Sequence, residues 1–225
     1  MSEEVLQSKA VRPTPKEYAY QRIIDDICNL NWTALSQEDL ICVASAHYYF
    51  SVQFRECLEI ARQLYPEDPR LLELDRAERN TDNLSPWPGV AVVAEKMNHD
   101  EFMRRTLALS KISVRRQHAL ETLGEAYLNK TRAIDANVRA LALASYEDGG
   151  LECVFRAILT APDWDNPLLG AFKHFLLEHI RFDSDPEQGH GALCRHLPPD
   201  DRVVPLWDEF KQIFVKAASR LSRSR

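Results

Sequence analysis

The chain has 225 residues, of which 45% are hydrophobic, 28% are charged and only 7 are glycine, and its net charge is −6. About 3% glycine is less than half the usual ~7%, too little for a phosphate-cradling loop, a turn-rich β fold or a collagen-like or linker-rich chain. The apolar share excludes a wholly disordered polymer, and the acidic balance argues against non-specific DNA binding, which needs a basic surface to displace counterions.

Residues 1–16, within MSEEVLQSKAVRPTPKE, carry Pro13 and Pro15 and few apolar side chains. They are expected to form a flexible tail without the apolar core of a signal peptide, followed by a single helical domain over 17–225. Tyr20, Ile23, Ile24, Ile27 and Leu30 trace a short amphipathic helix. Ser36 reads as an N-cap with Asp39 in the first turn, opening a long helix to about Leu64. Pro66 and Pro69 punctuate it, Leu71, Leu72, Leu74 and Ala77 continue into the next helix, and SPWPG from Ser85 to Gly89 is a break. Further helices are predicted over Asp100 to Leu109, Val114 to Asn129, Arg132 to Tyr146, Leu151 to Leu159, Pro167 to Asp183 and Pro205 to Leu221. Nothing alternates with period two for long enough to make a strand. The expectation is an all-α, compact bundle of about seven to nine helices.

No stretch approaches the ~20 apolar residues of a membrane span. The odd, scattered cysteines Cys28, Cys42, Cys57, Cys153 and Cys194 read as reduced, mostly buried thiols of a cytoplasmic protein. Neither a nucleic-acid nor a membrane partner is expected, and a homodimer is left open.

The densest chemical string is HFLLEHIRFDSDPEQGHGAL, His174 to Leu193. His179 and Asp183 stand four apart and share one helix face. Asp185, Pro186 and Gln188 read as N-cap, N1 and N3 of a new helix, so that a kink can swing His190 back toward the pair. Two imidazoles and a carboxylate suit non-haem iron, manganese or zinc, although, taken alone, a His-x3-Asp pair more often reads as an ordinary intrahelical hydrogen bond, with His190 a surface residue. His174 and His196 fall outside the pattern and read as surface or packing histidines. Glu147 ends a face carrying Ala136, Arg139, Ala140 and Leu143, and an inward carboxylate there needs a cation or a proton. Asp148 reads as an N-cap. Glu78 falls on the apolar stripe of Leu71 and Leu74, whereas Asp75 and Asp82 lie off it. His47 faces the core, as a satisfied core histidine or a haem ligand. His118, Glu121 and Glu125 share a face that also reads as solvated. Cys153 beside Glu152 is the only hint of a thiol nucleophile. Gly149 and Gly150 follow Glu147, and Gly189 and Gly191 flank His190, so permissive backbone gathers at two of these segments.

HYYFSVQF in a long second helix, an acidic helix after it, and HIRFD followed by HG resemble the heme-oxygenase-like superfamily. Its relevant members are the pyrroloquinoline-quinone synthase, thiaminase II and chlamydial death-domain-associated protein groups, with the related non-haem iron oxidases. In those oxidases one helix supplies a Glu and, two turns on, a His; a middle helix supplies a second Glu; a late helix supplies His-x3-Asp with another His soon after. The resemblance covers most of residues 36–221 in helical order and is specific over 179–193. It implies metal ligands at Glu78, Glu147, His179, Asp183 and His190, the last after a short insertion, SDPEQG. It departs at the first histidine: Ser85 stands two turns after Glu78, and the nearest histidine, His99, lies beyond an inserted loop.

The implied cofactor is Fe(II), one or two ions, with manganese as the alternative. The implied chemistry is oxidation or oxidative cleavage of a small organic or acyl substrate by O2, in a pocket of His47, Phe50, Phe54, Phe172 and Phe175. Two other readings stay open. One is a metal-free member of the same fold, a cofactorless oxidase or thiaminase-like hydrolase. The other is a non-enzymatic helical interaction module.

Overall fold

The computed structural model describes residues 18–110, 112–182 and 189–222 and the backbone of Asp183. The expected N-terminal tail and the helix start at Asp185, Pro186 and Gln188 lie outside the described residues. Those described hold ten α-helices and no strand. They are α1 (Ala19–Cys28), α2 (Gln37–Leu64), α3 (Pro69–Arg79), α4 (His99–Leu107), α5 (Val114–Arg132), α6 (Ala136–Glu147), α7 (Gly150–Ile158), α8 (Pro167–Asp183), α9 (His190–Cys194) and α10 (Val204–Ala217). The count exceeds the expected seven to nine because short elements such as the five-residue α9 stand as separate helices. No described helix is long and apolar enough to cross a membrane.

α2 is the axis of the bundle and packs against α3, α4, α5, α6, α8 and α10. Its start follows from a capping box: the Asp39 amide donates to Ser36 Oγ at 3.3 Å, and the Ser36 amide donates to Asp39 Oδ2 at 3.0 Å. The single stripe expected for this helix understates its burial. Leu40 to His47 are buried without interruption, as befits a helix enclosed by neighbours on every side. Beyond it, Asp68 caps α3, accepting from the amides of Arg70 and Leu71, with Pro69 in the first turn where its missing N–H costs nothing. Leu71, Leu74 and Glu78 then form the buried face of α3. Burying the leucines therefore carries the Glu78 carboxylate inward, at four residues' spacing from Leu74.

Residues 80–98 connect α3 to α4 without a helix. The segment is pinched at its base by an isolated antiparallel bridge between Thr81 and Met97. Its Leu84, Val90, Ala91 and Met97 are buried. It is tied to α8 by His174, whose Nε2 donates to the Leu84 carbonyl at 2.9 Å and whose ring stacks on Trp87. His196 instead pairs with Asp68. Both histidines keep the packing and surface roles expected of them.

The turn from α6 to α7 differs from expectation. Asp148 is the C-cap of α6 and Gly149, at φ +90°, is the N-cap of α7. The Asp148 carboxylate accepts from Arg195 Nε at 2.8 Å rather than capping a helix. Among the described residues α9 runs from His190, with Gly189 at its N-cap. Of the cysteines, Cys42, Cys57 and Cys194 are buried, whereas Cys28 is half-buried and Cys153 exposed, with the last two sulfurs 2.8 Å apart.

Candidate metal centre

Four helices deliver acidic and imidazole groups to one buried point. Glu78 comes from α3, His179 from α8, Glu147 from the last residue of α6 and His190 from the first residue of α9. A fifth group, His99, opens α4. It stands 21 residues after Glu78 in sequence, but the Thr81–Met97 bridge closes the intervening loop and brings its Nδ1 to 2.6 Å from Glu78 Oε2. His99 is thus carried beside Glu78 through the loop, while Ser85, at the position the resemblance assigns to a histidine, donates to the Asp82 carbonyl.

The donors fall into two overlapping triads, Glu78–His99–His179 and Glu78–Glu147–His190, each with its atoms within 4.8 Å of one another and every residue buried. In the first, His179 Nε2 is 3.1 Å from His99 Nδ1. In the second, His190 Nδ1 is 3.0 Å from Glu78 Oε1 and 3.3 Å from Glu147 Oε2. Glu78 Oε1 and Glu147 Oε2 are buried and accept no hydrogen bond. Two carboxylate oxygens brought so close to one imidazole nitrogen without hydrogen-bond alignment have the convergence of ligands around a point.

The outer partners set the tautomers in the first triad. His179 Nδ1 donates to the Phe175 carbonyl at 2.8 Å, and His99 Nε2 donates to Asn83 Oδ1 at 3.2 Å. His179 therefore turns its Nε2 lone pair inward, where it accepts from the His99 Nδ1–H that also faces Glu78; once deprotonated at Nδ1, His99 would present a second inward donor, as in metal-binding histidines oriented by an outer acceptor. α9 reaches the end of α6 because Gly191 lacks a Cβ: an added one would stand 3.0 Å from the Glu147 carbonyl oxygen.

Burial alone would push the Glu78 carboxyl up, but His99 and His190 beside it outweigh that and hold it well below the usual range. Burial raises Glu147, with the facing His190 opposing the rise. His190 is driven down by burial, but Glu78 and Glu147 overcome this and lift it well above an ordinary histidine. Burial, assisted by the neighbouring His99, keeps His179 neutral. The five groups form one coupled electrostatic unit.

A narrow cleft, with about 30 Å³ open to the centre of a water-sized sphere, runs to this point. Its walls include His47, Phe50, Phe54, Leu151, Phe155 and Phe175, and Arg55, Arg79, Asn98 and Asp100 also line it. Phe50, Phe54, Phe175 and His47 stand in the wall, as their helical spacing leads one to expect. Phe172 does not: it lies behind the wall, with its ring centre 5.4 Å from that of His47. Phe155 takes the expected place of Phe172. Its signal is the four-residue spacing from Leu151 on α7, which turns both inward. Asn83 carries no sequence signal, because its role depends on the path of the loop. The side chain of Asp183, the remaining predicted ligand, lies outside the described residues. Among the other candidates, His118, Glu121 and Glu125 are exposed on α5. Cys153 and Glu152 do not line the cleft, and Glu152 is engaged by Arg156 at 2.7 Å.

His47 is 1% exposed, and burial pushes its imidazole down to about 3. The unfolded chain therefore takes up a proton near pH 6.5 that the folded chain refuses until about pH 3. The stability contributed by neutral His47 is complete above pH 6.5 and is lost progressively as pH falls toward 3. Between pH 7.5 and 5 this amounts to about 2 kcal/mol. Urea unfolding at those two pH values should show wild type losing about 2 kcal/mol more than His47→Gln, and parallel losses would contradict the buried neutral ring.

A comparison with known protein families, with curated proteins and with solved structures finds no match to the chain.

Proposed function

We propose that this protein is a non-haem iron-dependent oxidase or oxygenase acting with O2 on a small organic or acyl substrate in the cleft beside the two triads. The observation that carries the reading is the convergence of five buried donors in two triads that share Glu78, each triad's atoms within 4.8 Å of one another. Two buried carboxylates crowded on one imidazole are costly to hold together, and a divalent cation between them offsets that cost. The donor set of three histidines and two glutamates fits iron, with manganese as an alternative. Glu78, shared by both triads, would hold two ions together, His99 and His179 completing one position and Glu147 and His190 the other. Asp183, one turn beyond His179, belongs to the same set by the resemblance to the non-haem iron oxidases.

Bound Fe(II) supplies the electrons with which O2 is reduced. The residues of the chain do the rest. Asn83 and the Phe175 carbonyl fix the rings of His99 and His179 so that no reorientation is needed on binding. Phe155 and Phe175, whose ring centres lie 5.8 Å and 4.1 Å from that of His179, keep bulk water from that ligand. Arg55 stands at the cleft, held between Asp100 at 2.9 Å and Glu59 at 3.1 Å. A cytoplasmic location and a soluble organic substrate complete the proposal.

Anaerobic reconstitution with Fe(II), followed by metal analysis and O2 uptake, tests it. Wild type should retain two ions, one for each triad, and consume O2 on mixing. His179→Ala should lose one ion and the uptake. Equal, near-zero iron in both proteins would sink the reading and favour a metal-free protein, in which chelator treatment leaves ligand binding intact.

A further inference from the structure

His47 stands apart from the donor cluster, and among the described residues nothing satisfies its Nε2. It sits on the central helix α2 with its Nε2 buried and without a hydrogen-bond partner. Four phenylalanines surround the ring: the centres of Phe50, Phe155, Phe172 and Phe175 lie 5.7, 5.4, 5.4 and 5.2 Å from its own. The ring nevertheless lines the same cleft as Glu78, His99, Glu147 and His179. Phe175 lies between the two, contacting His47 on one side and stacking on His179 on the other.

The hydrogen bonding of Ser51 assigns the tautomer. Its hydroxyl has one proton, and Oγ stands 3.2 Å from the His47 carbonyl oxygen and 3.4 Å from His47 Nδ1. The proton goes to the nearer carbonyl, the ordinary back-bond of a helical serine. Oγ is then left as an acceptor for Nδ1–H, so Nε2 carries a lone pair and no hydrogen. A buried lone pair without a donor is expensive to retain. A leucine or phenylalanine at this position would avoid the expense, and nothing among the described residues uses the acceptor.

We infer that His47 Nε2 is the hydrogen-bond acceptor that seats the protic group of the substrate, and that the substrate is therefore a small amphiphile whose hydroxyl or amine N–H is held in the phenylalanine cage beside the metal-binding triads. This rests on the reading of the cleft as a substrate site. It narrows the substrate class: a pure hydrocarbon, or a molecule whose only polar groups are acceptors, leaves Nε2 unsatisfied and is rejected. His47 acts by positioning the substrate and is not assigned a chemical step.

The test uses the full-length protein without metal, so that its failure is separate from failure of the iron reading. The probes are 1-butanol and diethyl ether, isomers of the same size, of which only the alcohol donates a hydrogen bond. Binding is followed by the Nε2 resonance of ¹⁵N-histidine-labelled protein. Wild type should bind the alcohol about tenfold or more tightly than the ether. The His47 Nε2 signal should begin as a bare acceptor and shift toward lower frequency with the alcohol alone. In His47→Phe the preference should vanish, while His47→Gln, which keeps an acceptor oxygen, should recover part of it. Equal binding of the isomers to wild type overturns the inference. So does a preference that survives in His47→Phe, binding of neither isomer at saturation, or a starting spectrum with the proton on Nε2. Should His47→Phe not fold, the wild-type resonance and the two isomers decide alone.

Discussion

Glu78→Ala should reduce the metal content of the protein from two ions to none, whereas loss of any other single ligand should leave one position occupied. The asymmetry follows from the geometry. Glu78 is the one residue common to both triads, with Oε2 toward His99 and Oε1 toward His190. Removing it opens both positions, and it also deprives the histidines of the carboxylate that balances their charge. Stability supplies an independent readout. Metal at about a thousand times its dissociation constant stabilises the native state by about 4 kcal/mol. This gain should appear in wild type and be absent from Glu78→Ala. Metal analysis after anaerobic dialysis and denaturant unfolding with and without Fe(II) check the two halves. One retained ion in Glu78→Ala would show that the triads do not share their ligand.

The second large effect is expected away from the ligands, at the elbow that delivers one of them. A Cβ on Gly150 would stand 2.1 Å from the Ser145 carbonyl oxygen and 2.8 Å from the Trp207 ring. The first neighbour is backbone inside α6, and Trp207 is itself fixed by its Nε1 donating to Ser145 Oγ at 2.9 Å. Neither can give way cheaply, so α7 must swing away from α6. Gly150→Ala should cost about 3 kcal/mol or more and should weaken metal retention, because the same elbow fixes Glu147. Gly170→Ala is the matched control. Its Cβ would meet Trp87 at an ordinary 3.5 Å inside α8, and alanine there should raise stability by about 0.5 to 1 kcal/mol. Unfolding midpoints of the two variants should move in opposite directions. A Gly150→Ala protein as stable as wild type would mean that the elbow is looser than its contacts imply.

Several features are legible in the amino-acid sequence because they depend on neighbours within one or two turns. The capping of α2 by Ser36 and Asp39, the Pro69 start of α3 and the run of α8 from Pro167 to Asp183 are local matters of backbone hydrogen bonding and φ restriction. The inward direction of Glu78 and Glu147 is legible for the same reason, since helical spacing ties each carboxylate to the apolar residues beneath it. The all-round burial of Leu40 to His47 is not. It depends on how many helices surround α2, and the composition of one helix does not report that number.

His99 marks the boundary most clearly. Its sequence neighbours, Asn98 and Asp100, say nothing about Glu78, and the helical spacing that the resemblance implies points to Ser85 instead. The Thr81–Met97 bridge and the buried Leu84, Val90 and Ala91 decide the matter by folding residues 80–98 back on themselves. The exchange of Phe172 for Phe155 in the cleft wall has a similar origin: both lie on apolar helix faces, and the relative rotation of α7 and α8 selects which one meets the cavity. The sequence by itself determined an all-α chain, several helix ends and the inward direction of Glu78 and Glu147, because these are properties of hydrogen-bonding and hydrophobic period along one segment. Only the tertiary structure decided that these two meet His99, His179 and His190 at a single buried point, because convergence is set by the packing angles and loop closures of segments far apart in the chain.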